Sequence, residues 1–273
     1  MVQTKSRQPL SSYEMLGQSG WEPLGNSPKV LHWNDYIPHN PTPKQLAFLL
    51  LDTSEAFYGG AAGGGKSDAL LMGALQYIDV PGYSAILFRR TYSDLALPEA
   101  LMWRAAEWLS GTDARWKDKD KSWVFPSNAT LNFGYMEAEQ DKFRYQSSAF
   151  QFIGFDELTQ FSETQYRYMF SRRRRLEGSK IPLRMRAASN PGNVGHEWVK
   201  QRFIIEGIQY GRPFIPARMD DNPHLDRESY DKSLAELDPI TRQQLKDGNW
   251  TARASGNKFK REWFEIVETA PVD

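Results

Sequence analysis

From position 60 to 67 the chain reads Gly-Ala-Ala-Gly-Gly-Gly-Lys-Ser, a spacing suited to gripping a polyphosphate. Gly60, Gly63, Gly64 and Gly65 have no Cβ, so successive backbone N–H groups can converge on phosphate oxygens. A helix that follows turns its positive end toward the same anion. Lys66 can reach the outer phosphates, and the Ser67 hydroxyl can ligate Mg²⁺. A plain glycine-rich turn is the alternative, but a strand expected before the segment and a helix after it favour a phosphate loop. The second element is Phe150-Gln-Phe-Ile-Gly-Phe-Asp156-Glu157, an apolar strand ending in two acids. Asp156 then stands at the carboxyl edge of a sheet, where α/β ligand crevices form, and can bind Mg²⁺ directly or through water. Glu157 is placed to polarise an attacking water. Taken with the upstream loop, the pair makes ATP hydrolysis the expected chemistry.

Other residues carry weaker signals. A third strand, over 183–188, ends in Ser189-Asn190-Pro191-Gly192, whose short polar side chains suit either a γ-phosphate or the attacking water, or else an ordinary β-turn. Gln45, in Thr42-Pro43-Lys44-Gln45, can pair with both a donor and an acceptor on an adenine edge, or simply face solvent from a helix start. Arg172, Arg173, Arg174 and Arg175 form the densest basic run, fit for DNA phosphates or for a solvated loop. Arg89 and Arg90 end the second strand on the nucleotide side. Arg144 lies in a polar connection before the acidic strand, where a surface ion pair is the ordinary reading.

The elements that must hold these residues alternate. Strands are expected at 55–58, 84–89, 150–155 and 183–188, a hairpin at 122–125 and 130–135, and helices at 45–51, 66–78, 94–109 and 163–170. Such alternation predicts an α/β fold of the P-loop NTPase class (RecA-like, ASCE), with a mostly parallel central sheet flanked by helices. Residues 1–40, rich in Gly and Pro, read as an N-terminal arm in which Trp21 and Trp33 anchor onto the body. Residues 41–215 form the ATPase core, 216–250 a small helical lid with helices at 226–237 and 239–246, and 251–273 a linker.

Composition narrows the class. Lys+Arg and Asp+Glu both number 34, so any DNA contact must come from a local patch and not a global field. The absence of Cys excludes disulfides and thiolate metal sites, and four scattered His offer no metal cluster. Neither a membrane-spanning apolar run nor a signal peptide is present in the sequence, which reads as unexported and without a membrane partner.

The motifs and their order resemble the large terminase subunits of tailed bacteriophages, the motors that package DNA into procapsids. The resemblance rests on Thr42-Pro-Lys-Gln45, residues 59–67, Phe152-Ile-Gly-Phe-Asp156-Glu157-Leu-Thr, Ala188-Ser-Asn-Pro-Gly192 and Gly195-His-Glu-Trp198-Val-Lys. It continues through Asp221-Asn-Pro-His-Leu225 and Leu245-Lys-Asp-Gly248-Asn-Trp250. It implies that Gln45 contacts adenine, that Asp156 and Glu157 are the Walker B pair, and that Ser189 and Asn190 form the motif that senses hydrolysis. It also favours an arginine in the neighbourhood of Arg144 as a finger on the ATP of an adjacent subunit, a role that Arg89 or Arg90 could also fill. It further implies double-stranded DNA as substrate, self-association into a ring, portal protein and small terminase subunit as partners, and the cytoplasm of an infected bacterium as the place of action. Family members carry a C-terminal ribonuclease-H-type nuclease beyond a segment like 256–265, so no nuclease activity is expected of this chain. A helicase-like DNA-dependent ATPase and a P-loop small-molecule kinase are the alternatives. The first would need a second such domain, and the second does not call for a Glu directly after the strand's Asp.

Overall fold

The structure, a computed structural model, describes residues 31–252; the expected arm up to position 30, with Trp21, and the expected linker from 253 onward lie outside the described residues. In chain order the elements are α1 (Pro43–Leu49), β1 (Glu55–Gly60), α2 (Lys66–Leu75), β2 (Ser84–Arg89), α3 (Tyr92–Ala96), α4 (Leu101–Leu109), β3 (Arg115–Lys117), β4 (Ser122–Val124) and β5 (Thr130–Tyr135). They continue as β6 (Phe152–Asp156), α5 (Glu163–Tyr168), β7 (Arg184–Ser189), α6 (His196–Val199), β8 (Phe214–Ala217), α7 (Arg227–Ala235) and α8 (Pro239–Asp247).

One eight-stranded sheet runs in the order β3-β4-β5-β2-β6-β7-β1-β8. Every pairing from β5 to β8 is parallel, while β3, β4 and β5 are joined antiparallel. The apolar runs in β1 and β6 are explained by burial of every residue, as a parallel sheet covered on both faces requires. On one face Leu70, Leu71 and Leu75 of α2 pack with Leu101, Ala105 and Leu109 of α4, and Trp33 leans against the same cluster. The three α4 residues follow the i, i+4, i+8 spacing of a helix that buries a single stripe. On the other face Phe57, Phe155, Tyr166, Phe203 and Trp250 form a second apolar layer.

Three expectations need correction. The helix over 94–109 is two helices, because Pro98 and the left-handed Glu99, at φ 62°, interrupt it after α3. β3 was not foreseen: its three residues are largely exposed, and only Trp116, facing Trp123 across the ladder, gives it an apolar contact. β8 was also missed, and it crosses the expected end of the core at 215. It tolerates Pro216 because it is an edge strand. The two helices expected in the lid are present as α7 and α8.

α6 continues as a π-helical turn, Lys200–Ile205, which carries Arg202 beneath the sheet. There its guanidinium grips the buried Glu55 at the amino end of β1, with Nε 2.6 Å from Oε1 and Nη2 3.0 Å from Oε2. The Tyr166 hydroxyl donates to the same carboxylate at 3.0 Å, and Arg212 stands 3.5 Å away. Removing one partner of such a pair leaves a charge in the dark, at a cost of about 3–5 kcal/mol. Glu55→Ala and Arg202→Ala should each lower stability in urea unfolding by about that much. The double variant should lose clearly less than the sum of the two; additive losses would mean that the pair does not act as a unit.

Candidate phosphate-binding site

β1 ends at Gly60, the loop turns through Gly63 and Gly65 at φ 73° and 71°, and α2 opens on Lys66. These positive φ values are open to glycine without strain. β7 lies between β1 and β6, pairing Ser189 with Gly59 and Ala188 with Asp156. The strand order therefore delivers Ser189 and Asn190 to the gap between the loop and the two acids.

Lys66 is buried and donates to the loop's own Ala61 carbonyl at 2.5 Å. Burial lowers its pKa, against the opposing pull of Glu157 and Asp156. The Ser67 hydroxyl lies 3.1 and 3.2 Å from the two carboxylate oxygens of Asp156. A hydroxyl and a carboxylate converging at the head of a phosphate-gripping helix are the hard oxygen ligands that Mg²⁺ takes beside a polyphosphate, so the donor set fits that ion. Among the described residues no group of three or more His, Cys, Asp or Glu forms a separate metal site.

Sequence reasoning placed Arg89 on this side of the sheet but missed its partner. Its Nε and Nη2 both lie 2.7 Å from Asp156 Oδ2. Burial pulls the Arg89 pKa down, but Asp156 and Glu157 more than offset it and the net shift is upward. Arg90 turns away, donating to the Gln165 side chain and the Glu137 carbonyl.

Glu157 follows in the left-handed region, φ 54° and ψ 52°. Burial first and the neighbouring Asp156 second push its carboxyl pKa up, with Lys66 and Arg89 opposing. A buried carboxylate with a raised pKa is a competent proton acceptor for a water molecule. Ser189 Oγ reaches Glu157 Oε2 at 3.4 Å and Thr159 Oγ1 at 2.8 Å, while Asn190 Nδ2 donates to the Gly60 carbonyl at 2.8 Å. The Ser-Asn pair thus touches the second acid on one side and the root of the loop on the other, and Thr159 joins it. The buried Thr159 falls inside the acidic-strand motif, but no spacing rule marks it for this task.

The segment after β8, where the lid was expected, is bonded to the loop. Asn222 donates to the Gly63 carbonyl at 2.8 Å, and Ala62 N–H donates to the Leu245 carbonyl at 2.7 Å. A Cβ on Gly248 would lie 2.5 Å from Ala61 N, so only glycine fits there. His196 Nδ1 accepts from Gly192 N–H at 2.9 Å, which leaves Nε2 to donate to the Trp250 carbonyl at 3.1 Å. The late motifs thus join the end of β7 to the end of the lid.

Three candidates lie elsewhere or face differently. Gln45 is buried, with both ends of its amide bonded to backbone. Arg144, on a 3-10 turn after β5, is half-exposed, pairs with Asp141 at 3.0 Å and stacks over Tyr135. Arg172, Arg173, Arg174 and Arg175 lie at the amino ends of the strands, opposite the loop, where Arg173 bonds Ser54 and Arg175 bonds the Ile181 carbonyl.

The fold has solved counterparts at low identity. The large terminase from a thermophilic bacteriophage, in complex with ATP-gamma-S, aligns at TM-score 0.62 and 16% identity, over 77% of this chain and 52% of that one. The HK97 bacteriophage large terminase aligns at TM-score 0.56 and 12% identity, over 78% and 51%. The Thermus phage P74-26 large terminase ATPase domain aligns at TM-score 0.52 and 16% identity, over 79% and 96%. The chain therefore spans about half the length of the first two proteins and nearly all of the isolated P74-26 domain. No curated protein matches it. The family described as "Terminase large subunit, T4likevirus-type, N-terminal" matches residues 57–266, a span that takes in the phosphate loop, both acids, the Ser-Asn pair and the lid, and the chain belongs to that family.

Proposed function

We propose that this chain hydrolyses ATP and, as the motor domain of a large terminase subunit, drives double-stranded DNA into a viral procapsid. The observation that carries the reading is the meeting of Lys66, Ser67, Asp156, Glu157 and Asn190 at the ends of three adjacent strands. Lys66 and the loop N–H groups would hold the outer phosphates. Ser67 and Asp156 would hold Mg²⁺, which neutralises charge on the transferred phosphoryl group. Glu157 takes the proton from water as it attacks, and Ser189, within reach of that carboxylate, feels the loss of the γ-phosphate together with Asn190. Support comes from the large terminase of the thermophilic bacteriophage, whose structures are in complex with ADP and ATP-gamma-S.

The finer assignments rest on placement. Arg144 is half-exposed and outside its own phosphate loop, which suits a finger acting on a neighbour's ATP in a ring. The run from Arg172 to Arg175, far from the nucleotide edge, suits DNA phosphates. Portal protein and small terminase subunit are the partners such a motor would meet in the cytoplasm of an infected bacterium. No described helix is long and apolar enough to cross a membrane.

Glu157→Gln keeps shape and loses proton affinity, so turnover should fall about 10²- to 10⁴-fold while ATP affinity stays within a few-fold. Glu157 must be ionised to act, and its pKa is raised. Wild-type kcat/KM should therefore decline on acidification through a pKa above the ordinary carboxylate range, measured in ATPase assays with and without DNA. Substantial turnover by Glu157→Gln would remove its assigned role.

Replacing the four arginines by Gln should weaken DNA binding. It should also flatten the plot of log K against log salt by roughly 0.9 for each phosphate no longer neutralised. An unchanged slope in a variant that still binds ATP would make the run a solvated loop.

A trans finger contributes about 10³- to 10⁵-fold in related chemistry. Arg144→Ala and Lys66→Ala subunits, each nearly inactive alone, should regain part of the ATPase rate when mixed, because some interfaces then pair an intact loop with an intact arginine. No recovery at any mixing ratio, with assembly verified, would count against Arg144.

A further inference from the structure

Two adjacent arginines end β2 and part company there. Arg89 grips Asp156, with Nε and Nη2 both 2.7 Å from Oδ2, while Arg90 leaves the nucleotide edge. Arg90 Nη1 donates to Gln165 Oε1 at 2.9 Å, and its Nη2 donates to the Glu137 carbonyl. Gln165, in the first turn of α5 and only 1% exposed, sends its Nε2 to the Ala138 carbonyl at 2.8 Å and to the Met136 carbonyl at 3.4 Å. Three consecutive carbonyls just past β5 are thus taken by two side chains, one from the end of β2 and one from the helix that follows the acidic strand. Gln165 Oε1 also accepts the Ser162 N–H at 3.2 Å, which fixes the amide against the cap of α5. From this root starts the 3-10 turn Glu139–Tyr145, which carries Arg144. α5 holds the turn further along, where Thr164 Oγ1 donates to Glu139 at 2.9 Å and Tyr168 meets Phe143 edge-on with ring centroids 5.4 Å apart. Asp141 closes the turn on itself, accepting the Glu137 and Ala138 N–H groups at 2.8 and 2.9 Å and pairing with Arg144 at 3.0 Å.

We infer that Arg90 and Gln165 are positioning residues that fix the turn carrying Arg144 to the subunit's own acidic strand, and so set the arginine that this subunit offers to a neighbour. The inference rests on the proposed reading of Arg144 as a finger on an adjacent subunit's ATP. A guanidinium holds its donors in a rigid planar fork, so one side chain can bridge an amide oxygen and a carbonyl at fixed geometry. Arg89, one residue earlier, is bonded to the acid proposed to hold Mg²⁺. A shift at the end of β2 would therefore move the contact to that acid and the root of the turn together. Gln165 approaches the same root from the segment that continues Asp156 and Glu157. Buried and bonded at both ends of its amide, it acts on a neighbour only through the turn it holds.

The test uses Arg90→Ala and, to keep the packing of α5, Gln165→Glu, which retains the shape and the acceptor facing Arg90 but loses the donor to the Met136 and Ala138 carbonyls. Each should lower kcat by about ten- to a hundredfold, part of the about 10³- to 10⁵-fold that a finger supplies, and leave KM for ATP within about twofold because Lys66 and the phosphate loop are untouched. Backbone amide exchange across 137–146, followed without nucleotide, should rise several-fold in both variants and stay at the wild-type rate across 60–67. Mixing then assigns the defect to one side of the subunit interface. Arg90→Ala subunits mixed with Lys66→Ala subunits should regain part of the ATPase rate, since some interfaces pair an intact loop with a correctly held arginine. Arg90→Ala mixed with Arg144→Ala should regain nothing, since every subunit then lacks a placed finger. The reverse pattern would put Arg90 in its own subunit's nucleotide site and overturn the inference. Unchanged exchange with wild-type turnover by Gln165→Glu would make Arg90 itself the finger and overturn it equally. If Arg144→Ala and Lys66→Ala fail to complement each other, the finger reading falls and this inference with it; failure of the Arg90 pattern with that control intact overturns this inference alone.

Discussion

A loop built of glycine has no side chains with which to hold its own shape, and the folded chain answers that constraint by lending it side chains from elsewhere. Asn190 takes the Gly60 carbonyl, Asn222 the Gly63 carbonyl and Gln45 the Gly65 carbonyl. Tyr58 reaches the Gly64 carbonyl, while Lys66 holds that of Ala61. These groups come from the end of β7, the lid, the helix before β1, β1 itself and the first turn of α2. The N–H groups of Ala61 and Ala62 are bonded to the Ala217 and Leu245 carbonyls, and carbonyls bound on the outside turn the later N–H groups of the loop toward an anion, so the bonds that rigidify the loop also orient its dipoles.

The strand order turns that tether into a communicating structure. With β7 between β1 and β6, a residue at its carboxyl end touches the loop on one side and the acids on the other. Had β6 paired directly with β1, Ser189 and Asn190 would have no gap to fill. Past Asn190 the chain binds back on itself through His196, whose two ring nitrogens connect Gly192 to Trp250 and so to the close of the lid. Below the sheet, the π-helical turn returns Arg202 to Glu55 at the start of β1. The strand that begins on a buried ion pair ends on the phosphate loop, and the segment after β7 is fastened to both of its ends.

The sequence made the central parallel strands readable because β1 and β6 are buried throughout and β2 and β7 nearly so, which leaves mostly apolar runs, and because β1, β6 and β7 end in residues whose chemistry is local: a glycine loop, Asp-Glu, Ser-Asn. β3 and β8 were illegible for the opposite reason. Three exposed residues around Trp116 carry no period, and Pro216 argues against a strand unless it is known to be at an edge. The helix break at Pro98 was legible in principle, yet the apolar spacing on either side masked it. Within the site, contacts between distant segments were hidden. Nothing in the spacing of Arg89 points to Asp156, and Gln45 carries the same letters whether it faces a base or a carbonyl. A motif fixes which residue types gather, whereas their partners depend on strand order and on which way a buried side chain can turn.

Glu157 shows how tightly these levels are joined. A glutamate at φ 54° lies where a side chain is strained, at a cost on the order of 1–3 kcal/mol, and persists only if its surroundings insist on it. The insistence comes from Thr159, whose N–H meets Ser189 Oγ at 3.3 Å and whose carbonyl accepts Gly195 N–H at 2.7 Å. Leu158, buried beside it, cannot let the turn relax outward. The backbone twist that aims the proposed base is thus held by the end of β7, and the next residue on that strand end, Asn190, holds the root of the phosphate loop. A displacement of the loop on one side therefore bears on the carboxylate on the other through two bonded residues, Asn190 and Ser189. In the proposed function that short path is what would let the Ser-Asn pair link the state of the phosphates to the aim of the base.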